Sequence, residues 1–416
     1  MDLKEARQIA VGLAKRLGRE PVELGSALGR VVAEPVPAGR DIPGNPRSKW
    51  DGFALSSRDS EGAAPGNPVI VEIAHGETAA GRKPAEACSG KCFRIMTGGV
   101  LPVGADAVIA FEDAAISGEG LVLSGPLRAG AGVSAPGSEA RREDILLEEC
   151  DVLTPTRLAL AAAAGREVLS AVRRPRVAVL ATGDELRGSG RSDECASIFC
   201  NNTHLFTNLA RACGAEPIEL GVSPDDPEVI LSRLEKVEAD LVITTGGMGK
   251  GSRDFIREVW KRLGLEIHFD ELNLVPGKGS ALAAGNGCIY LGLPGNPWAG
   301  RIVYEEIAAP VIRSFLGLGT RGDFSLEARS LCPMTKKKGF YQAFEGILEI
   351  RKGSCDFTPG HSAHGRPRRI ASLRRGLVYA LLEPQCCGLA QGEPVRVKVP
   401  DFPLLTWAIL SSQVKL

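Results

Sequence analysis

Val177-Ala178-Val179-Leu180-Ala181-Thr182-Gly183-Asp184-Glu185-Leu186 is the stretch whose reading decides the fold. Its first five residues form an apolar run of strand length, suited to a strand buried on both faces of a sheet. The run passes directly into a flexible turn carrying two carboxylates, at the end of the strand where an open α/β sheet offers groups to a ligand. From this segment alone, a magnesium site beside phosphate and a turn of solvated acids are equal readings.

Beyond the turn, strands and helices alternate. A helix is predicted over Thr203–Cys213, ended by Gly214, then a strand at Pro217–Val222 and a helix at Pro227–Val237. A strand at Leu241–Thr245, a helix at Asp254–Leu263, strand-like Ile267-His268-Phe269, a strand at Cys288–Leu291 and a helix from Trp298 to Phe315 follow. Elements of these lengths in this order argue for a doubly wound α/β domain with a largely parallel sheet, over residues 175–322.

The flanks differ in pattern. Asp2–Leu17 carries apolar residues at helical spacing, with a second short helix expected near Val22–Gly29 and helical pattern returning at Thr156–Gly165, so residues 1–35 with 148–174 read as a helical linker domain. Residues 36–147 read as a small β-rich insert domain, with Val69-Ile70-Val71, Cys92-Phe93-Arg94-Ile95 and Ala107-Val108-Ile109 separated by Gly and Pro. Residues 323–416, with runs at Ala343–Ile350, Leu377–Leu382 and Val395–Val399, read as a C-terminal, barrel-like β domain. The whole is an α/β multidomain chain.

Composition narrows the function. Fifty Lys and Arg balance fifty Asp and Glu, so no overall field recommends nucleic acid or an anionic membrane, and phosphate recognition must be local. No apolar stretch approaches the roughly 20 residues of a membrane span, and the N-terminus lacks a signal-peptide pattern, so a cytoplasmic protein is expected. The 11 cysteines lack the paired spacings of structural zinc.

Three further loops follow the logic of the first. Gly246-Gly247-Met248-Gly249-Lys250-Gly251-Ser252-Arg253-Asp254 follows a strand and lets backbone N–H groups approach an anion, with Lys250 and Arg253 adding charge. It is neither a Walker A loop nor a Rossmann fingerprint. Val275-Pro276-Gly277-Lys278-Gly279-Ser280 sets an ammonium between glycines, where a plain turn is the competing account. Gly292-Leu293-Pro294-Gly295-Asn296-Pro297 precedes a helix N-terminus, its prolines fixing the loop. Read alone, Ser48–Ala54, Arg94–Gly99 and Pro102–Ala107 are structural.

In order, Ser48–Ala54, Arg94–Ala107, Thr182–Leu186, Asp240–Asp254 and Gly292–Pro297, supported by Arg141-Arg142-Glu143-Asp144-Ile145, resemble the MoeA family of molybdopterin molybdenumtransferases, whose eukaryotic counterparts include the gephyrin E-domain. The resemblance spans nearly the whole chain. It implies a four-domain homodimer in which the Asp51 and Thr97 loops complete the partner's site. It also implies a reaction in which adenylated molybdopterin and molybdate (or tungstate), with Mg²⁺, give molybdenum cofactor and AMP. By motif position, Asp51, Thr97, Asp144, Glu185, Asp254 and Lys278 would be catalytic. Thr182, Gly183, Asp184, Gly246, Gly247, Gly249, Ser252, Pro294, Gly295, Asn296 and Pro297 would bind the pterin substrate, and Glu185 and Asp254 would hold the metal. A MogA-type adenylyltransferase and recipient molybdoenzymes are the implied partners.

The chain departs from the family pattern at three places. Cys200-Asn201-Asn202 stands where an Asp-Ser/Thr-Asn triplet is usual, Val275 replaces the first lysine of Lys-Pro-Gly-Lys-Pro, and Gly249 stands where Ser is common. One anionic and one cationic group are lost together. Alternatives are therefore a MogA-like molybdopterin adenylyltransferase, whose glycine loop is similar but whose chain is a single α/β domain, or a non-catalytic cofactor-binding paralogue.

Overall fold

The computed structural model describes residues 1–78, 90–187, 198–249, 255–319, 325–336, 338–351, 354–360 and 378–400. Internal contacts divide the chain into two units, one of Met1–Glu34, Glu149–Pro155 and Val168–Leu416, the other of Pro35–Glu148 and Thr156–Glu167.

In the first unit the central sheet has six strands, in the order Glu216–Ser223, Arg176–Thr182, Leu241–Thr245, Cys288–Leu293, Ala281–Gly285, Glu266–Phe269. The first four are parallel, and the last two are added antiparallel. Strand side chains alternate between two cores, which is what winding on both faces requires. Val177, Val179, Leu241, Ile243 and Leu291 pack with Phe206 and Ile302 on one face, while Ala178, Leu180, Val242 and Tyr290 pack with Ile230 and Trp260 on the other. The helices start and stop on local signals. Asp226 Oδ1 accepts from the Glu228 and Val229 amides with Pro227 in the first turn, and Gly214 adopts φ +87° just past the helix Asn202–Ala212.

The N-terminal helix Leu3–Leu13, capped by Asp2, buries Leu3, Ala6 and Ala10 in the first of these cores. The helix expected near Val22–Gly29 is instead the strand Arg19–Glu23, followed by a single 3₁₀ turn at Leu24–Ser26. The strand pairs antiparallel with Val168–Val172, so a partner far along the sequence overrides weak local helical spacing.

Past the sheet, strands Ser325–Ser330, Tyr341–Arg351, Ser354–Pro359, Tyr379–Leu382 and Pro394–Lys398 pair around a full circuit into a closed five-stranded barrel. Closure removes the free edges that an open sheet would expose. Phe344, Phe357, Val395 and Val397 fill it. The segment after the sheet is a continuous helical run, Pro297–Val303, a π turn at Tyr304–Ala308, and Ala309–Phe315. In the π turn, Glu306 accepts bonds from Arg7 of the N-terminal helix and from Tyr379 and Lys398 of the barrel, joining three parts of this unit.

The second unit is built on a six-stranded sheet, in the order Ala107–Ala110, Gly52–Leu55, Lys91–Ile95, Val69–Thr78, Gly120–Leu123, Ala115–Ser117. Phe53, Leu55, Val71, Cys92, Leu121 and Leu123 form its core. No helix among the described residues is long and apolar enough to cross a membrane.

Candidate functional site

The loops at the C-terminal ends of three adjacent parallel strands come together. Gly246 is the contact point. Its N–H donates to Leu293 O at 3.2 Å, a Cβ there would lie 2.4 Å from Thr182 O, and a Cβ on Gly295 would lie 3.6 Å from its Cα. Gly246 and Gly247 take φ of +88° and +61°, the left-handed region that a side chain resists, so this turn is open only to residues without Cβ. Among the described residues, the N–H groups of Gly247, Met248, Gly249, Gly295 and Asn296 have no hydrogen-bond acceptor. Successive unpaired amides on a left-handed turn form an anion-binding concavity.

The first loop contributes carboxylates. Asp184 and Asp225 exchange bonds, each carboxylate accepting from the other's amide at 3.1 and 3.4 Å. Glu185 is exposed, and its carboxylate folds back toward Gly183, where a Cβ would meet it at 2.7 Å. The Glu185 side chain has no hydrogen bond or ion pair among the described residues. Asn296 accepts from the amides of Trp298 (3.0 Å) and Ala299 (3.2 Å), so it caps the helix that Pro297 opens.

The Lys278 loop lies against the glycine loop, since a Cβ on Gly279 would sit 3.7 Å from Met248 O. The Lys278 side chain is 61% exposed, and its ammonium is only loosely paired with Glu271, at 3.8 Å. Val275 is 40% exposed. Lys250, Ser252, Arg253 and Asp254 lie outside the described residues. Among the described residues there is no cluster of three or more His, Cys, Asp or Glu able to hold a metal.

In the second unit, Asp51 and Thr97 form a pair. Asp51 Oδ1 accepts from both the amide (2.6 Å) and the hydroxyl (2.8 Å) of Thr97, which holds the carboxyl below the usual carboxylate range. Asp144 serves a different bond, its Oδ2 accepting from the Arg141 amide at 2.7 Å in a turn where Glu143 takes φ +72°.

Two residues of the first unit were missed by sequence reasoning. Asn202, buried, donates from Nδ2 to Gly295 O at 2.8 Å and to Thr245 Oγ1 at 3.3 Å, tying two of the loops. Arg257 braces the glycine loop from the following helix. The Asn201-Asn202 pair next to Cys200 was a usable signal for the first; a helical arginine gave none for the second. Cys200 is buried at 4% exposure with its Sγ 3.8 Å from Thr203 Oγ1, the place of a packed thiol.

The chain resembles known proteins over nearly its whole length. Residues 1–165 match a family model of the MoeA N-terminal region (domain I and II), and residues 178–314 match one of a probable molybdopterin binding domain. The molybdopterin molybdenumtransferase of Bacillus subtilis (strain 168) is 28% identical over 412 residues, covering 95% of this chain and 94% of the relative. That of Staphylococcus aureus (strain Mu50) is 30% identical over 399 residues, again 95% and 94%. The crystal structure of a molybdopterin biosynthesis MoeA protein from Pyrococcus horikosii superposes with a TM-score of 0.85 at 25% identity, covering 96% of this chain and 99% of that one. These matches run through the N-terminal parts and the barrel as well as the α/β domain, which a single-domain adenylyltransferase would not provide. The chain belongs to the molybdopterin molybdenumtransferase family.

Proposed function

We propose that this chain inserts molybdate or tungstate into adenylated molybdopterin and releases AMP. The two dithiolene sulfurs replace two oxygens of the oxyanion, which take up protons from the thiols and solvent and leave as water, and the phosphoanhydride P–O bond breaks with uptake of water to give AMP and the pterin phosphate. The observation that carries the reading is the set of amides at Gly247–Gly249, Gly295 and Asn296 that have no acceptor among the described residues, on loops of the same strand ends as the exposed Glu185. Amides with no acceptor among the described residues suit phosphate and molybdate alike, both tetrahedral oxyanions.

In this proposal Glu185 and Asp254 hold Mg²⁺. An unpaired carboxylate fits that ion, which takes hard oxygen ligands from one or two side chains and the rest from phosphate and water. Once bound, the ion would polarise a phosphoryl oxygen. Lys278 supplies a mobile positive charge toward the anions, and Thr182, Gly183, Asp184, Gly246, Gly247, Gly249, Ser252, Pro294 and Gly295 shape the substrate cradle. Asn296 and Pro297 act by fixing the helix start. Asp51, Thr97 and Asp144 act from the second unit, in a cytoplasmic homodimer whose partner subunit supplies the Asp51 and Thr97 loops, and the chain divides into the four domains read from its sequence. A MogA-type adenylyltransferase and recipient molybdoenzymes are its proposed partners.

The test is incubation of purified protein with adenylated molybdopterin, Mg²⁺ and molybdate or tungstate, following AMP release and metal incorporation together. Oxyanion-dependent AMP release with a metal-loaded pterin is expected. Tight pterin binding without AMP release would replace this reading with that of a carrier, and adenylation of free molybdopterin by ATP would replace it with that of an adenylyltransferase. Mixing Asp51→Ala and Glu185→Gln variants tests the dimer, because a shared site predicts partial recovery of activity in mixed dimers.

A further inference from the structure

Arg257 sits in the first turn of the helix Ile256–Arg262, immediately behind the glycine loop. Its Nη1 donates to Met248 O at 2.8 Å and Gly249 O at 2.9 Å, and its Nη2 donates to Asp270 O at 2.7 Å. All three acceptors are neutral carbonyls. Among the described residues the guanidinium has no carboxylate partner, unlike Arg262 of the same helix, which pairs with Glu228 at 2.8 Å.

The geometry has two consequences. In a planar trans peptide the C=O and the following N–H point in opposite directions. Drawing Met248 O onto the guanidinium therefore turns the Gly249 N–H away from it, and the rigid fork of donors fixes that choice. The same fork reaches Asp270, so it also ties the glycine loop to the segment leading into the Lys278 loop. The second consequence is electrostatic. A full positive charge held, among the described residues, by carbonyl dipoles alone lies behind amides that carry partial positive charge, and its field acts on an anion in front of them.

We infer that Arg257 is a positioning residue for oxyanion binding, presetting the Gly246–Gly249 turn and supplying behind it a charge that no carboxylate among the described residues neutralises. The inference rests on the oxyanion reading of that turn given above. The ligand chemistry is a tetrahedral oxyanion, and its source is either the nucleotide phosphate or molybdate itself.

The experiment titrates the full-length native protein, Arg257→Lys and Arg257→Gln with AMP and, separately, with molybdate by calorimetry at fixed ionic strength, alongside melting curves and steady-state turnover. Loss of charge and fork in Arg257→Gln should weaken at least one probe by about tenfold or more, with Arg257→Lys intermediate because it retains the charge. KM should rise with little change in kcat, since the brace acts on binding. The weakened probe identifies the source, AMP for the phosphate and molybdate for the metal oxyanion. Native affinity for both probes in both variants overturns this inference alone. A melting midpoint lowered by more than about 10 °C in both variants makes Arg257 a fold residue and also overturns it. Absence of binding by the native protein overturns the oxyanion reading and this inference with it.

Discussion

In the π turn Tyr304–Ala308, Glu306 is 2% exposed and both carboxylate oxygens are engaged, Oε1 by Tyr379 and by Lys398 at 2.7 Å, Oε2 by Arg7 at 2.5 Å. Near the C-terminal ends of the parallel strands, Thr182, Asn202 and Ser223 are buried too, yet among the described residues Thr182 Oγ1, Asn202 Oδ1 and Ser223 Oγ have no partner. A buried polar atom left unpaired costs about 1–3 kcal/mol. The contrast separates a joint, where every charge is answered from within the fold, from a platform under the ligand loops, where bonding capacity stays open.

The strongest way to break this comparison is at the joint. Glu306→Gln removes the charge that Arg7 and the largely buried Lys398 both meet at this carboxylate, and removing one member of a buried ionic network typically costs about 3–5 kcal/mol. Urea denaturation should show that loss. A change under 1 kcal/mol would mean that the knot is incidental to the packing of helix, sheet and barrel.

At the platform, Gly246→Ala comes next in size. Its Cβ would lie 2.4 Å from Thr182 O on a backbone of φ +88°, a combination worth roughly 1–3 kcal/mol of strain. Oxyanion affinity should fall along with stability, because the turn that presents the amides has to move. Calorimetric titration with molybdate would check this, and retained affinity would separate the turn from the binding surface. Ser223→Ala should do far less. With no partner for its hydroxyl, removal should leave stability within about 0.5 kcal/mol of native or raise it slightly. A loss above 1 kcal/mol would place a bridging water on that oxygen and move Ser223 to the closed class.

Much of the platform and little of the joint was legible in the sequence. Leu241–Thr245 and Cys288–Leu293 announce themselves as apolar runs ending in glycine, and a sheet of parallel strands necessarily gathers the loops at their C-terminal ends. The neighbouring strand Ala281–Gly285 escapes because Ala-Leu-Ala-Ala-Gly has little β preference and is held by its hairpin partner Cys288–Leu293. Arg257 reads as one more solvated helical cation, and Glu306 as one of two adjacent acids. Their roles arise from residues brought up by tertiary packing, Met248 and Asp270 for the first, Arg7, Tyr379 and Lys398 for the second, and no local spacing encodes those meetings.

Asp51 sharpens the comparison with a carboxylate of intermediate kind. Like Glu306 it is held, by the Thr97 amide and hydroxyl; like Glu185 it is exposed, and its Oδ2 has no partner among the described residues. The two Thr97 bonds, the amide first, favour the ionised form and lower its titration in the folded state. A carboxyl depressed on folding adds stability at pH above its unfolded value, and that contribution is lost as pH falls through the lower folded value. Thr97→Ala removes the hydroxyl bond and keeps the amide. Carbon-detected titration should therefore show Asp51 moving part of the way back toward the ordinary carboxylate range, with the acid limb of the stability curve slightly flattened there. Solvent screening keeps the stability effect the smallest of the four. An unmoved titration would assign the depression to the amide alone, leaving the Thr97 hydroxyl free to face a ligand.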